Sequence, residues 1–90
     1  MDLKDYRKQI DAIDAQLVQL FVQRMEAASG IAAYKLEHNL PVLDAQREQA
    51  RLEAVCALAP AELQPHVAAV YAAIFEESRA YQQLLMEETL

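Results

Sequence analysis

The first part of the chain, residues 3–38, reads LKDYRKQIDAIDAQLVQLFVQRMEAASGIAAYKLEH and contains no proline. Its apolar residues recur every three to four positions, which is the spacing of an amphipathic helix. Asp2 precedes this stretch as a suitable N-cap. The segment HNLPV (38–42) ends it, because the residue before Pro41 is disfavoured in the α region. We therefore predict one helix from Leu3 to about His38. Its apolar positions are Leu3, Tyr6, Ile10, Ile13, Leu17, Leu20, Phe21, Met25, Ala28, Ile31 and Ala32.

Two further helices are predicted in the remainder of the chain. The second runs from about Leu43 to Ala57, with Asp44 placed favourably near its positive end. Pro65 suits the first turn of the third helix, which continues to about Glu88. The chain contains one glycine and 54% hydrophobic residues. This composition favours helix throughout, and we predict one all-α domain over residues 1–90.

The length of the first helix has a consequence for assembly. About 35 residues at about 1.5 Å each span roughly 50 Å. A compact domain of this size is only about 30 Å across. The helix would therefore extend beyond what its own chain can cover, and its apolar stripe needs another copy. We predict an intertwined homodimer in which two long helices pack along one another.

Composition argues against several classes of partner. The chain has 14 acidic and 8 basic residues, for a net charge of −6. Nucleic-acid binding needs a broad basic surface, so we expect none. The apolar runs are too short for a membrane span, and the N-terminus lacks a signal peptide's apolar region. The single cysteine, Cys56, fits a reducing compartment, so a cytoplasmic location is expected. No glycine-rich phosphate loop or metal-ligand pattern is present, and we expect neither cofactor nor metal.

Half of the scarce positive charge lies at four positions: Arg7, Arg24, Lys35 and Arg47. Arg24 and Lys35 are 11 residues apart, which places them within about 20° on a helical wheel and about 16 Å apart. The gap between two such side chains suits a small dianion. Arg7 lies about 25 Å before Arg24, so only an antiparallel partner helix would bring it to the same ligand. The alternative is that each cation is a solvated surface residue.

Polar residues on the other two helices also share faces. Asp44, Arg47, Glu48 and Arg51 follow the i, i+3, i+4, i+7 pattern on the second helix. From spacing alone this pattern favours an exposed salt-bridge ladder. Ser78 and Gln82 form an i, i+4 pair on the third helix, presenting a hydroxyl and an amide amid apolar neighbours. Singly, such residues are usually on the surface.

The whole chain resembles the all-helical (AroQ-class) chorismate mutases in their short single-domain form. The resemblance rests on three segments in order: YRKQIDAIDAQLVQLFVQRMEAA (6–28), YKLEHNLPVLDAQREQARLEAV (34–55) and ESRAYQQ (77–83). Within them lie an arginine, a second arginine and then a lysine eleven residues later, a "D..RE" motif after a proline turn, and a closing "S...Q". These motifs place Arg7, Arg24, Lys35, Asp44, Arg47, Glu48, Ser78 and Gln82 at the family's site positions.

The resemblance implies an intertwined homodimer with two sites, each completed by Arg7 of the other chain. Arg7 and Arg24 would grip the two carboxylates of chorismate, supported by Arg47 and Ser78. Lys35 and Gln82 would donate to the ether oxygen. Glu48 and the backbone N–H near Asp44 would hold the ring hydroxyl. Gly30 is a departure from good helix-forming sequence, although it touches none of the motif positions.

The implied activity is the rearrangement of chorismate to prephenate on the route to phenylalanine and tyrosine. This Claisen reaction needs a folded substrate and donors to the ether oxygen, and it needs no nucleophile, base or metal. Two alternatives remain open at this point. One is an isochorismate-pyruvate lyase on the same fold, and the other is a non-catalytic helical dimerisation module. We expect no attached dehydratase or dehydrogenase domain.

Overall fold

The computed structural model of the protein describes residues 1–89. Three α-helices follow one another: α1 (Leu3–Glu37), α2 (Ala45–Ala57) and α3 (Gln64–Thr89). A single 3-10 turn, Ala61–Leu63, precedes α3. The prediction of an all-helical fold with a long first helix is confirmed.

Both ends of α1 are fixed by local hydrogen bonds. The Asp2 carboxylate accepts from the backbone N–H of Asp5 at 2.9 Å, and the Asp5 carboxylate accepts from the N–H of Asp2 at 3.1 Å. This capping box confirms Asp2 as the N-cap. At the other end Asn39 adopts a positive φ of 54°, which asparagine tolerates better than most residues. The N–H of Leu40 then donates to the carbonyl of Lys35 at 2.8 Å, which closes the helix as a Schellman motif.

The second and third helices begin close to the predicted positions. Asp44 is the N-cap of α2, and its carboxylate accepts from the N–H of Arg47 at 3.0 Å. The helix consequently starts at Ala45, two residues later than expected, because Asp44 is the N-cap and Leu43 precedes it. Pro65 lies in the first turn of α3, as predicted.

Helix α3 packs against both α1 and α2 and forms the centre of the fold. The core that results is small: Ala28 and Ala32 of α1, Val55 of α2 and Phe75 of α3 are the buried apolar residues. The chain measures 53 × 26 × 14 Å, with a radius of gyration of 16.2 Å. A compact chain of this length would have a radius of gyration of about 12 Å. The molecule is therefore a thin rod rather than a globule.

The N-terminal half of α1 lies outside this core. Every residue from Met1 to Gln23 is exposed. The apolar stripe predicted on this part of α1 exists, but the chain itself does not cover it. Its exposed members are Leu3, Tyr6, Ile10, Ile13, Leu17, Leu20 and Phe21. We refer to these residues as the α1 stripe.

Gly30 does not interrupt α1, which continues as a regular helix through this position. The residue is exposed, and a Cβ built on it would meet nothing within 4 Å. No helix within residues 1–89 is long and apolar enough to cross a membrane.

Candidate functional site

A cavity of about 510 Å³ lies where the three helices meet. This volume is within the range of small-molecule sites in proteins. Helix α1, the loop before α2, α2 and α3 all contribute to its wall. The lining residues are Arg24, Ala27, Ala28, Ile31, Lys35, Val42, Asp44, Arg47, Glu48, Arg51, Tyr71, Phe75, Ser78, Arg79 and Gln82.

The charge of this cavity is opposite in sign to that of the chain. Five cationic side chains line it, and only two acidic ones do, Asp44 and Glu48. The chain as a whole carries a formal charge of −6. A cleft lined by one sign of charge attracts ligands of the other sign. The cavity therefore suits a small anion, although the chain as a whole is acidic. The cations are Arg24, Lys35, Arg47, Arg51 and Arg79.

Two half-buried cations form the α1 wall. The Arg24 guanidinium lies over the Phe75 ring, 5.8 Å from its centroid, so the ring supports the charge from one side. Lys35 Nζ donates to the carbonyl oxygen of Val42 at 2.6 Å. An ammonium carries three donors, so this bond leaves two for a ligand. The predicted common face of Arg24 and Lys35 is present, and both residues line the cavity.

The α2 wall differs from a salt-bridge ladder. Arg79 Nη1 of α3 lies 2.5 Å from one Glu48 oxygen and 2.6 Å from the other. Within residues 1–89, no ion pair joins Arg47 or Arg51 to an acidic neighbour along α2. The Asp44 carboxylate is occupied in capping the helix. The ladder interpretation is therefore wrong for Glu48, which pairs between helices.

The α3 wall contributes two buried polar side chains. Ser78 and Gln82 are 8% and 6% exposed, and Gln82 Nε2 donates to Ser78 Oγ at 3.1 Å. The Gln82 carbonyl oxygen is buried and has no hydrogen-bond partner in the described part of the chain. A buried polar atom without a partner is costly. Gln82 therefore presents a largely buried amide at the cavity wall.

Arg7 lies elsewhere in this chain. It is exposed near the start of α1, where it lines a shallow groove with Leu3, Lys4, Lys8 and Asp11. The cavity thus brings together seven of the eight site residues expected from sequence and leaves out Arg7. The separation follows from the straight helix, which places Arg7 about 25 Å from Arg24.

Sequence reasoning did not select Arg79, Tyr71 or Phe75 as site residues, yet all three line the cavity. A signal was present. Phe75, Ser78, Arg79 and Gln82 follow the i, i+3, i+4, i+7 pattern and so share one face of α3. Arg79 lies between Ser78 and Gln82 on this face.

Similar segments occur in longer proteins. The chain is 44% identical over 52 residues to the T-protein of Haemophilus influenzae, an alignment covering 58% of this chain and 14% of that protein. It is 33% identical over 86 residues to the bifunctional chorismate mutase/prephenate dehydratase of Enterobacter agglomerans, covering 93% and 22% respectively. The enzyme of the same name from Buchnera aphidicola subsp. Schizaphis graminum is 38% identical over 52 residues, covering 58% and 14%. The chain therefore spans less than a quarter of each relative's length. No solved structure matches it significantly.

The family comparison covers most of the chain. The family described as chorismate mutase type II matches residues 6–83. This range includes all of α2, most of α1 and α3, and every residue of the cavity wall. The chain belongs to the chorismate mutase type II family.

Proposed function

We propose that this protein is an isomerase that converts chorismate to prephenate. The observation that carries the proposal is the cationic cavity at the junction of the three helices in a chain of the chorismate mutase type II family. Chorismate is a small dicarboxylate. A site with five cations and two buried polar side chains has the charge and the donors that such a ligand needs.

The reaction is intramolecular. One C–O bond breaks while a C–C bond forms, and electrons move around a six-membered ring. The protein must hold a flexible substrate in a chair-like conformation, which is a positioning effect. It must also stabilise negative charge that develops on the ether oxygen, and preorganised donors do this. The side chains of the cavity can perform both tasks without forming a bond to the substrate.

The carboxylate clamps come from all three walls of the cavity. Arg24 would grip one carboxylate of the substrate, with Arg47 and Ser78 in support. Arginine is suited to this task because its planar fork matches a carboxylate. The contact of Arg24 with the buried Phe75 ring supports the assignment, because it restrains the guanidinium before substrate arrives.

The ether oxygen would receive bonds from Lys35 and Gln82. Lys35 has two donors beyond the one given to Val42. The amide of Gln82 has two N–H groups, and Ser78 takes one of them. Glu48 and the backbone N–H near Asp44 would hold the ring hydroxyl. These roles rest on the family motifs together with the location of each residue at the cavity wall.

A second copy of the chain would complete the site. The α1 stripe is exposed along residues 3–21, and such a continuous apolar surface is unusual on a monomer. We propose that two copies pack along their α1 helices and that Arg7 of each enters the cavity of the other. Arg7 would then grip the second carboxylate of the substrate, while Arg24 grips the first. The single cysteine and the biosynthetic substrate fit a cytoplasmic location.

The test is direct. Purified protein is incubated with chorismate, and loss of its absorbance is followed while product is converted by acid to phenylpyruvate. We expect stoichiometric phenylpyruvate with the parent chain and almost none with Arg24→Ala. Isochorismate is run in parallel, and release of pyruvate from it would indicate a lyase instead. If the folded protein consumed neither compound, the remaining interpretation would be a non-catalytic helical dimerisation module.

A further inference from the structure

Arg79 is the cavity cation that the family motifs leave without a role. It lies directly after Ser78 on α3, and its side chain is 34% exposed. One of its nitrogens, Nη1, is placed between the two oxygens of Glu48, at 2.5 and 2.6 Å. The two residues are 31 positions apart, so this pair links α3 to α2 across the cavity wall.

The pair determines which way the Glu48 carboxylate faces. A carboxylate has about four lone-pair positions. A single nitrogen centred between the oxygens uses the two positions that face it and leaves the outer two. Without such a partner, a glutamate with three rotatable torsions would sample several orientations. Arg79 thus fixes a carboxylate and leaves it able to accept a further hydrogen bond.

We propose that Arg79 is a positioning residue for Glu48, and that this pair sets the preference of the site for a ring dicarboxylate that carries a hydroxyl group. The inference rests on the proposed function, in which Glu48 accepts the hydroxyl of the substrate. Arg79 itself does not grip a carboxylate of the ligand, because its charge is already matched by Glu48. The cations that remain for the ligand are Arg24, Lys35, Arg47 and Arg51, opposed only by Asp44.

The alternative role for Arg79 makes a different prediction. As a direct carboxylate clamp, it would strengthen the binding of every dicarboxylate that fits the cavity. As a positioning residue for Glu48, it would strengthen the binding of hydroxylated ligands only. A pair of ligands that differ by one hydroxyl group therefore separates the two roles.

The experiment uses two bicyclic ether dicarboxylates that imitate the cyclic transition state, one with the ring hydroxyl and one without it. Their Kd values are measured by calorimetry for the parent chain, Arg79→Met, Arg79→Lys, Glu48→Gln and Arg79→Met/Glu48→Gln. Glu77→Met is the matched control, since Glu77 is exposed and lies about 160° round α3 from Arg79. Circular dichroism and sedimentation first establish that each variant has the parental fold and assembly.

We expect the parent and Glu77→Met to prefer the hydroxylated ligand to the same degree. Arg79→Met should lower this preference about tenfold, with little change in Kd for the ligand that lacks the hydroxyl. Arg79→Lys should restore part of the preference, because a single nitrogen of Arg79 bridges the two Glu48 oxygens and a lysine also supplies one nitrogen. In the Glu48→Gln background, Arg79→Met should have no further effect on the preference.

If Arg79→Met raised the Kd of both ligands by the same factor, the proposal would be overturned, and Arg79 would be a clamp or a structural residue. A parent chain that binds neither ligand and leaves chorismate unchanged would overturn the proposed function, and this inference with it. If Arg79→Met does not fold, Arg79→Lys decides. A Lys variant whose preference falls partly towards that of Glu48→Gln supports positioning, whereas an unchanged preference or an equal loss of affinity for both ligands contradicts it.

Discussion

The Lys35 ammonium lies 2.6 Å from the carbonyl oxygen of Val42 and ties the last turns of α1 to the loop that precedes α2. This bond holds the ammonium at the cavity wall before any ligand is present. Donors that are fixed in advance stabilise developing charge without having to reorganise during the reaction. The position of Lys35 is therefore a property of the fold, set by the proline turn that follows α1.

Removal of this ammonium should affect the chemical step. We expect Lys35→Ala to lower kcat by about 10²–10³, the usual effect of losing one such donor. Gln82→Ala should have a milder effect, because a neutral amide is a weaker donor than an ammonium. Steady-state kinetics with chorismate provide the measurement, and helical circular dichroism should stay unchanged. If Lys35→Ala raised only KM, Lys35 would be a binding residue.

Arg24 should behave differently from Lys35. The carboxylate that it is proposed to grip is charged both in the bound substrate and in the transition state, so its loss weakens both. We expect Arg24→Ala to raise KM as well as to lower kcat. Arg24→Lys keeps the positive charge but should recover only part of the activity lost in Arg24→Ala. A lysine cannot form the two parallel hydrogen bonds that a guanidinium makes to a carboxylate. Unchanged KM in both variants would contradict the clamp assignment.

The proposed exchange of Arg7 between chains can be tested by complementation. Arg7→Ala and Arg24→Ala should each be nearly inactive alone. When the two are unfolded, mixed and refolded, each heterodimer contains one site with both arginines. Random pairing should restore about a quarter of the parental activity, since half of the dimers have one intact site of two. Absence of recovery, with heterodimers verified by mass spectrometry under native conditions, would exclude the contribution in trans.

Association along the α1 stripe has its own test. The parent chain should sediment at about twice 10.1 kDa. We expect Leu17→Glu to shift the equilibrium to monomer and to reduce helix content, because a charge in an apolar interface is costly. Leu58→Glu is the matched control, since Leu58 is 84% exposed and lies at the end of α2, outside the stripe. A parent chain that sediments as a folded monomer at micromolar concentration would contradict this interface.

Gly30 offers a test of stability. It is exposed within a regular helix and has open space around its Cα. Gly30→Ala should stabilise the fold by up to about 1 kcal/mol, through the helix propensity of alanine. For a domain of this size, we expect Tm to rise by about 4–8 °C in a thermal melt. A fall in Tm would indicate that a neighbouring chain packs against Gly30 and leaves no room for the added methyl group.

Features that depend on local sequence were predictable. The start of α1 follows from the Asp2 cap, and its end follows from Asn39 and Pro41. The 17-residue separation of Arg7 and Arg24 was sufficient to predict that one straight helix keeps them apart. Each of these properties is set by neighbours along the chain, which periodicity and capping rules describe well.

Features that depend on packing between helices were not predictable in the same way. Spacing along α2 favoured a ladder around Glu48, whereas the carboxylate pairs with Arg79 on α3. Likewise, the burial of Ser78 and Gln82 depends on how α3 lies between the other two helices. Helical periodicity identifies which residues share a face, but the neighbour of that face is determined by the tertiary arrangement.

The exposed start of α1 has a consequence for enzyme output. If the site needs Arg7 from a second chain, the amount of active enzyme follows the dimer population and not the number of chains. Well below the dimer dissociation constant, specific activity would then rise in proportion to chain concentration, so that total rate would follow its square. A cell that produced half as many chains would lose up to three quarters of the flux in that regime. The uncovered stripe on residues 3–21 would thus make catalytic output respond more than proportionally to expression.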